Sequence, residues 1–316
     1  SGIQCEKKLW FDLNDKIKSK DKAIFRSGNR FNDVVRKHYG EGLDLSDEKE
    51  HQLVIQKTKN AIKSNNINVI YEAGFQFKKT FIRADVLIRK GEKWTMLEAK
   101  ASTSIKDINI SDLAIQSYVV KNSNLNVVGN KIIHINKEFV YKGDENYKEL
   151  IVEVDITKDV LIEEKKIEDL INKYLPLLKS SCPIKEVGSH CKHPYTCHYL
   201  DRCSPPETNI NKVSYKILPY CSKKIEAYCK TNKTDELKDI PKDLLQSSRK
   251  GYAENYHQII QEAHIKNTPW VNKDISEQFK KWKMPFYFMD FETIQQGVPI
   301  IKNTKPFEQV PFQWSV

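Results

Sequence analysis

The 316-residue sequence predicts an α/β fold in which helices flank a central sheet. Three consecutive runs between residues 68 and 101 are rich in aliphatic and aromatic residues and are separated by short polar turns. Helical periodicity precedes these runs at residues 24–39 and returns after them at residues 160–179. Helices and strands in this order are typical of an α/β sandwich.

The boundaries of the individual elements follow from local patterns. Ser46 can cap the third predicted helix, whose first turn carries acidic residues, and Ser111 can cap the fourth. The predicted helices are 5–20, 24–39, 47–64, 111–120 and 160–179, and the predicted strands are 68–77, 80–89, 93–101, 131–141 and 149–156.

The strands predicted at 80–89 and 93–101 bring three charged residues together. Glu98 and Lys100 are two residues apart, so their side chains leave the same face of a strand. Asp85 interrupts the preceding apolar strand. Carboxylate oxygens bind Mg²⁺ or Mn²⁺, and a neighbouring lysine can orient or deprotonate the water that such a metal acidifies. The pattern indicates phosphodiester hydrolysis, and a solvated face with a surface ion pair is the alternative.

Gln116 extends this pattern into the following helix. The order Asp85, Glu98-x-Lys100 and then a helix with Gln116 resembles the PD-(D/E)XK nuclease superfamily, and its RecB branch in particular. The resemblance implies a restriction-endonuclease-like core in which Asp85 and Glu98 bind the metal. It also implies that Lys100 is the catalytic lysine and that Gln116 lies near the metal or the DNA.

Two positions depart from the RecB pattern. Tyr118 follows Gln116 by two residues where the branch has four, so no role is carried over to Tyr118. Asn32 stands where many members place a metal-binding histidine after a glycine, which is Gly28 here. His38, on the same predicted helix, is interpreted as a structural residue.

The cysteines form a second pattern. Cys191, Cys197 and Cys203 are separated by five residues each, and Cys5 precedes the predicted core. This layout resembles RecB-branch proteins that hold a [4Fe–4S] cluster with one cysteine before the nuclease core and three after it. The resemblance implies that these four thiolates bind the cluster and fasten the two ends of the domain together.

Other interpretations of the cysteines remain open. Zn²⁺ binds mixtures of cysteine and histidine, although the spacings here are wider than in zinc knuckles. Disulfides are disfavoured because no signal peptide precedes the chain and intracellular thiols stay reduced. Three histidines lie among the cysteines, and three further cysteines are interpreted as free thiols: His190, His193 and His198, and Cys182, Cys221 and Cys229.

The charge balance favours a polyanionic partner. Lys and Arg number 52 against 42 Asp and Glu, which gives a net charge of +10. An excess of this size is typical of proteins that bind DNA, although lysine-rich drift produces the same balance. No apolar run approaches the roughly 18 residues that a membrane span needs, so we expect a cytoplasmic protein without a membrane partner.

The C-terminal third changes character after Ser204. The Pro205-Pro206 pair predicts a boundary, and the residues after it look like a polar helical connector. An apolar strand near residue 290 then carries Asp290 and Glu292 on one side, and residues 307–316 can return as its antiparallel partner. Asp-x-Glu on a strand resembles the first motif of DEDD exonucleases, which have an RNase H-like fold. An edge strand with two solvated acids is the alternative.

All these motifs in this order resemble domain-of-unknown-function family 2779, which joins a RecB-like nuclease half to a DEDD-type exonuclease half. The resemblance implies a nuclease domain with its cluster at 1–205, a connector at 206–282, and a truncated RNase H-like domain at 283–316. The chain is therefore interpreted as a fragment of a longer protein. We expect a metal-dependent nuclease that acts on single-stranded DNA or duplex ends. A nucleic-acid-binding scaffold with a degenerate site and a zinc-stabilised interaction module are the alternatives.

Overall fold

The computed structural model of the chain describes residues 1–17, 22–64, 66–204, 213–246 and 253–316. Contacts within the chain group them into two compact units, one formed by 1–203 with 289–316 and the other by 204–288. The predicted boundary at Pro205 and Pro206 lies outside the described residues. The C-terminal segment, predicted as the start of a separate domain, shares its contacts with the first unit.

The first unit is built on a mixed sheet that, within the described residues, has six strands in the order β1 to β6. Neighbouring pairs are antiparallel except for β1 with β2 and β4 with β5, which are parallel. The strands are β1 (Leu43–Asp44), β2 (Val69–Phe77), β3 (Thr80–Lys90), β4 (Lys93–Lys100), β5 (Val127–Ile135) and β6 (Ile151–Asp155). The helices of this unit are α1 (Glu6–Asn14), α2 (Lys22–Tyr39), α3 (His51–Lys63), α4 (Asp107–Lys121), α5 (Thr157–Glu164), α6 (Ile167–Tyr174) and α7 (Leu200–Cys203).

Helices cover both faces of this sheet. The larger core is formed on one face by α3 to α6, which bury residues such as Val54, Leu113 and Val160 against the strands. On the other face, Phe31 of α2 packs with Val298 from the C-terminal segment in a second core. Apolar side chains at helical spacing explain these contacts, and the predicted α/β architecture is confirmed at this level.

Several element boundaries differ from the predictions. The first helix ends at Asn14 rather than continuing toward residue 20, and the apolar side chains at and beyond its end, Leu13 and Ile17, are both exposed rather than packed. Residues 18–20 of the predicted helix lie outside the described residues. Helix α4 begins at Asp107 rather than near Ser111, since the backbone N–H of Lys106 donates to the side chain of Asn109 and caps an earlier turn. The third helix begins at His51, several residues after its predicted start.

The long helix predicted at 160–179 is divided into α5 and α6. The backbone N–H of Lys166 donates to the carbonyl of Glu163 at 3.1 Å, three residues earlier, and this tight turn ends α5. Strand β5 also lies earlier than predicted, at Val127–Ile135, because its parallel register with β4 begins at Val127.

The second unit contains α8 (Lys223–Asn232), α9 (Tyr256–Lys266) and α10 (Ile275–Lys281). Among the described residues, two short 3₁₀ helices lie between α8 and α9, and a small hydrophobic core forms around Ile225 and Leu237. The segment predicted as a polar connector therefore buries apolar side chains of its own.

Two further strands follow in the chain and belong to the first unit. They are β7 (Asp290–Gln295) and β8 (Gln309–Ser315), which pair antiparallel as predicted. In the described residues no helix combines the length and the apolar character that crossing a lipid bilayer requires.

Candidate functional site

The predicted acidic residue of β3 lies where the strand becomes irregular. Ala84 and Leu87 belong to the core formed by α3 to α6, whereas Val86 belongs to the core on the α2 side. Regular alternation would put residues three apart on opposite faces. The alternation is therefore reversed at Asp85, which no periodic pattern in the sequence could indicate.

Strand β2 is irregular at Glu72, beside the same point. Ile70 and Ala73 both belong to the core formed by α3 to α6, and Glu72 between them has a φ of 57°. A non-glycine residue in this left-handed region is uncommon, and residues with such a backbone conformation are concentrated at functional sites. The Glu72 carboxylate accepts a hydrogen bond from Nε of Arg83 at 3.0 Å, which fixes its side chain.

The sheet opens at this irregularity. The paired register of β3 and β4 runs as far as Val86 with Leu97. Beyond it, Oδ2 of Asp85 accepts a hydrogen bond from the backbone N–H of Ala99 at 2.8 Å. A carboxylate thus takes the place of a backbone acceptor in the ladder, which holds Asp85 next to Glu98.

Glu98 is fixed by two side-chain donors. Its Oε1 accepts from Nζ of Lys100 at 2.7 Å, and its Oε2 accepts from Nε2 of Gln116 at 2.8 Å. Only 5% of Glu98 is exposed. The structure therefore brings together Glu98, Lys100 and Gln116, which the sequence predicted for one site.

Asp112 is a member of the site that the sequence analysis missed. Its Oδ2 lies 3.1 Å from Nζ of Lys100, so the lysine sits between two carboxylates. Asp112 precedes Gln116 by four residues on α4, which places both on one face of the helix. This spacing was available as a signal once Gln116 had been singled out.

The electrostatics of the site favour a bound cation. Burial and the nearby charge of Glu98 raise the pKa of Asp85 well above its usual value. Burial also raises the pKa of Glu98, against the opposing effect of Lys100. For Lys100 the cost of burial is outweighed by Glu98 and Asp112, which raise its pKa. Three carboxylates thus face one ammonium, and a divalent cation would relieve their repulsion.

The donor set fits a hard cation in a second respect. Oε1 of Gln116 is buried without a hydrogen-bond partner next to Glu98. An unpaired buried acceptor is costly, and it suits a metal-bound water as donor. Within the described ranges, however, no group of three or more His, Cys, Asp and Glu residues is arranged to hold a metal. Asp85 and Glu98 would therefore need water or substrate oxygens to complete the coordination, as Mg²⁺ sites commonly do.

Three further residues that the sequence analysis considered, Asn32, His38 and Tyr118, have no contact with the site in the interactions described above. Asn32 and His38 both lie on α2, and His38 is exposed and lines a surface cavity. Tyr118 contacts Phe77 edge-on, with ring centroids 5.9 Å apart, and packs at the border of the larger core. These contacts are structural.

The four predicted cluster cysteines line one cavity. Its walls include Cys5 at the N-terminus of α1 and the three cysteines of the later segment: Cys191, Cys197 and Cys203. Lys8, which is 6% exposed, lines the same cavity. A thiolate at a helix N-terminus suits a negatively charged metal–thiolate group, whereas the Lys8 ammonium is already paired with Asp12 at 2.9 Å.

Burial changes the pKa of two of these thiols. Burial raises the pKa of Cys197 against a hydrogen bond from the Tyr199 backbone and the charge of Lys8, and it raises the pKa of Cys203 against the charge of Lys7. Within the described residues, these cysteines do not form a group of three or more side chains arranged to hold a metal ion. Nε2 of His190 lies 3.5 Å from Sγ of Cys191, so a histidine is also at hand for zinc.

Hydrogen bonds join α1 and the residue Gln4 before it to this segment. Nε2 of Gln4 donates to the carbonyls of His190 and Tyr195, at 3.1 and 2.7 Å. The hydroxyl of Tyr199 donates to Asp12 at 2.9 Å. Of the cysteines predicted as free, Cys182 packs against the small hydrophobic cluster of Phe11, Cys197 and Tyr199. The other two lie in or against the core of the second unit: Cys221 and Cys229.

The second predicted acidic pair lies in a different environment. Asp290 and Glu292 are exposed, and their partners across the hairpin are Ser315 and Gln313. Oδ1 of Asp290 accepts from the neighbouring backbone N–H of Phe291 at 2.8 Å. The hairpin therefore offers these two acids without a further carboxylate opposite them.

Comparison with known proteins bears mainly on the C-terminal segment. Residues 287–316 match the family model "Domain of unknown function (DUF2779)", which confirms the family expected from the sequence. The match does not extend to residues 1–286. No curated protein matches the chain significantly. A solved structure described as "Crystal structure of SSO0001" is 16% identical over 58% of this chain and 88% of that chain, with a TM-score of 0.20.

Proposed function

We propose that this chain, which carries the DUF2779 domain at residues 287–316, is a metal-dependent DNA nuclease that hydrolyses phosphodiester bonds. The observation that supports it is the buried pair Asp85 and Glu98, held beside Lys100 where β3 and β4 separate. Burying two carboxylates together opposes folding unless a bound cation compensates their charge. Their oxygens suit Mg²⁺ or Mn²⁺.

The residues of the site would divide the work. When bound, the metal would acidify a water molecule and polarise the phosphate. Asp85 and Glu98 would hold it, and Gln116 would keep Glu98 oriented through its hydrogen bond. Because two carboxylates raise its pKa, Lys100 stays charged at neutral pH. It would therefore orient the water or stabilise phosphate charge as a donor, rather than remove a proton.

The direct test compares two lysines of the same sheet. Lys131 on β5 forms an ion pair with Glu153 at 2.9 Å and is similarly exposed, which makes it a matched control for Lys100. Lys100→Ala should lower the rate of cleavage of end-labelled single-stranded DNA by about a thousandfold in Mg²⁺ or Mn²⁺. Lys131→Ala should leave it within about twofold.

Equal cleavage by both variants would exclude this mechanism. Metal-independent DNA binding without cleavage by the wild type would instead favour a nucleic-acid-binding scaffold with a degenerate site. Loss of binding in Lys100→Ala alone would also count against the proposal, since phosphate contacts should come from the wider basic surface.

We further propose that the cysteine cavity holds a [4Fe–4S] cluster as a structural support. The observation behind it is that Cys5 and three distant cysteines line one cavity with a buried lysine. Four thiolates are what such a cluster requires. Iron and sulfide in anaerobically purified protein, with visible absorbance lost in Cys197→Ser, would support the cluster. Stoichiometric zinc without visible absorbance would establish the alternative.

The acidic pair of the hairpin has a separate proposed role. Asp290 and Glu292 would be ligands of an RNase H-like exonuclease site that is incomplete within these residues. Two carboxylates cannot position the two metals that in-line attack and departure require, so cleavage by this chain should depend on Lys100 alone.

A further inference from the structure

A groove beside α2 is outside the site described above. It consists of two overlapping cavities of about 420 and 350 Å³. Both are lined by Val34 and Lys37 of α2 and by Glu145 and Tyr147 of the loop that precedes β6. The groove therefore lies between an exposed helix face and a loop of the same unit.

Three cations and two carboxylates line this groove, which gives it a small net positive charge: Arg30, Lys37 and Lys148 against Asp33 and Glu145. Arg30 and Lys37 lie two helical turns apart on α2, and Lys148 faces them from the loop. In the part of the chain that the structure describes, none of these three cations has a carboxylate within ion-pairing distance, whereas Asp33 is engaged by Arg36 at 3.1 Å. Unpaired cations that line a concave surface attract an anionic ligand.

An aromatic pair forms part of the groove wall. The rings of Tyr141 and Tyr147 stack with centroids 5.0 Å apart and an interplanar angle of 3°. The hydroxyl of Tyr147 donates to the carbonyl of Pro299 at 3.0 Å, which fixes the ring. A rigid aromatic surface next to free cations is the combination that binds single-stranded nucleic acid.

The C-terminal segment completes the groove. Val298 and Ile300 line the second cavity, and Val298 is buried in the core on the α2 side. Backbone hydrogen bonds join Tyr141 to Asn303 and Thr304 at 2.7 and 3.0 Å. The segment that matches the family model thus supplies one wall of a cavity whose other walls belong to the nuclease-like core.

We infer that this groove binds single-stranded DNA, with Arg30 and Lys37 contacting phosphates and Tyr147 contacting a base. The inference rests on the proposed nuclease function and names the form of substrate that the protein would hold. Helix α2 also packs against β4, the strand that carries Glu98 and Lys100. The Glu98 and Lys100 side chains bond to Gln116 and Asp112 of α4 on the other face of β4, so the groove would be a holding site separate from the reacting atoms.

The test measures binding separately from cleavage. Wild-type protein is titrated in EDTA against a fluorescein-labelled oligothymidylate at several salt concentrations, and anisotropy is followed. The double variant Arg30→Ala/Lys37→Ala should bind about tenfold more weakly. Its plot of log affinity against log salt should lose about 1.4 units of slope, since each phosphate contact on a single strand contributes roughly 0.7.

A matched control removes two lysines from another helix. Lys59 and Lys63 are exposed on α3, which packs in the core on the opposite face of the sheet. Lys59→Ala/Lys63→Ala changes the net charge equally and should leave the slope unchanged. Equal slopes for the two double variants would overturn the inference, as would a preference for duplex over oligothymidylate.

Tyr147 gives an independent test. Tyr147→Leu keeps the side chain apolar but removes the stacking surface, and it should weaken binding about tenfold without changing the salt slope. A normal thermal transition establishes that this variant folds, and unchanged binding by the folded variant contradicts the base contact. Failure of these binding results leaves the Lys100→Ala cleavage result standing, so the two proposals fail separately.

Discussion

Two acidic pairs that the sequence suggests as metal ligands occupy opposite environments in this protein. Asp85 and Glu98 lie on neighbouring strands, and buried hydrogen bonds hold them beside a lysine. Asp290 and Glu292 lie on one strand of an exposed hairpin, where Asp290 bonds to its own neighbour. The surroundings of an acidic pair, rather than its sequence, therefore indicate whether it binds a cation. Burial is unfavourable for the charges of the first pair only, so only that pair requires a compensating cation.

The largest difference between the pairs should appear in cleavage. Asp85→Asn keeps the shape of the side chain but removes its charge, so it should lower metal-dependent DNA cleavage about a thousandfold. Asp290→Asn should leave the same activity unchanged within about twofold. End-labelled DNA with saturating Mg²⁺ or Mn²⁺ provides the measurement. A larger loss in Asp290→Asn would reverse the assignment of the two pairs.

Stability should change in the opposite sense to activity. Without metal and at a pH above the raised pKa of Asp85, Asp85→Asn removes a carboxylate charge that burial and Glu98 both oppose, and the new amide oxygen can still accept from Ala99. We expect the free energy of unfolding to rise by about 1–3 kcal/mol. Asp290→Asn should change it by less than about 0.5 kcal/mol, as exposed substitutions usually do. Urea denaturation in EDTA measures both, and destabilisation by Asp85→Asn would contradict the electrostatic account.

The pH dependence of stability should follow from the same burial. Because the folded state raises the pKa of Asp85 above its ordinary 3.8, the folded protein holds this proton more tightly than the unfolded chain. Its contribution to stability is complete below that ordinary value and is lost as the pH rises through the raised pKa. The metal-free wild type should therefore lose stability over this range relative to Asp85→Asn. Added Mn²⁺ should reduce the loss, and parallel pH profiles without metal would contradict the prediction.

The smallest expected effect concerns Asp112. This residue is half exposed, so its ion pair with Lys100 should contribute no more than about 1 kcal/mol. Asp112→Asn should lower the melting temperature slightly and slow cleavage only a few-fold, because Glu98 still holds the lysine. A loss as large as that of Lys100→Ala would mean that Asp112 itself takes part in binding the metal.

The sequence predicts the parts of this site that depend on regular strands. The pairing of β3 with β4 and the shared face of Glu98 and Lys100 both follow from alternation. The reversal at Asp85 and the positive φ of Glu72 are departures from regular geometry, and a periodic pattern carries no information about them.

Contacts between residues that are far apart in the chain could not be predicted from the sequence either. Val298 packs in a core with Phe31, although a whole unit of the chain separates them in sequence. The groove beside α2 depends on this contact, since the C-terminal segment forms one of its walls. Local periodicity indicates that Val298 is apolar, but it does not indicate which surface the residue covers.

The attachment of α1 to the cysteine segment has a consequence for biosynthesis. Gln4 and Asp12 bond to residues that are 186 and 187 positions later in the chain. At about 5–20 residues per second, the ribosome needs roughly 10–40 seconds to supply these partners. During that interval α1 emerges without the surface that it covers in the folded protein, so the sheet can form before α1 docks. Any metal taken up by Cys5 together with the later cysteines would then be acquired at the end of synthesis rather than at its beginning.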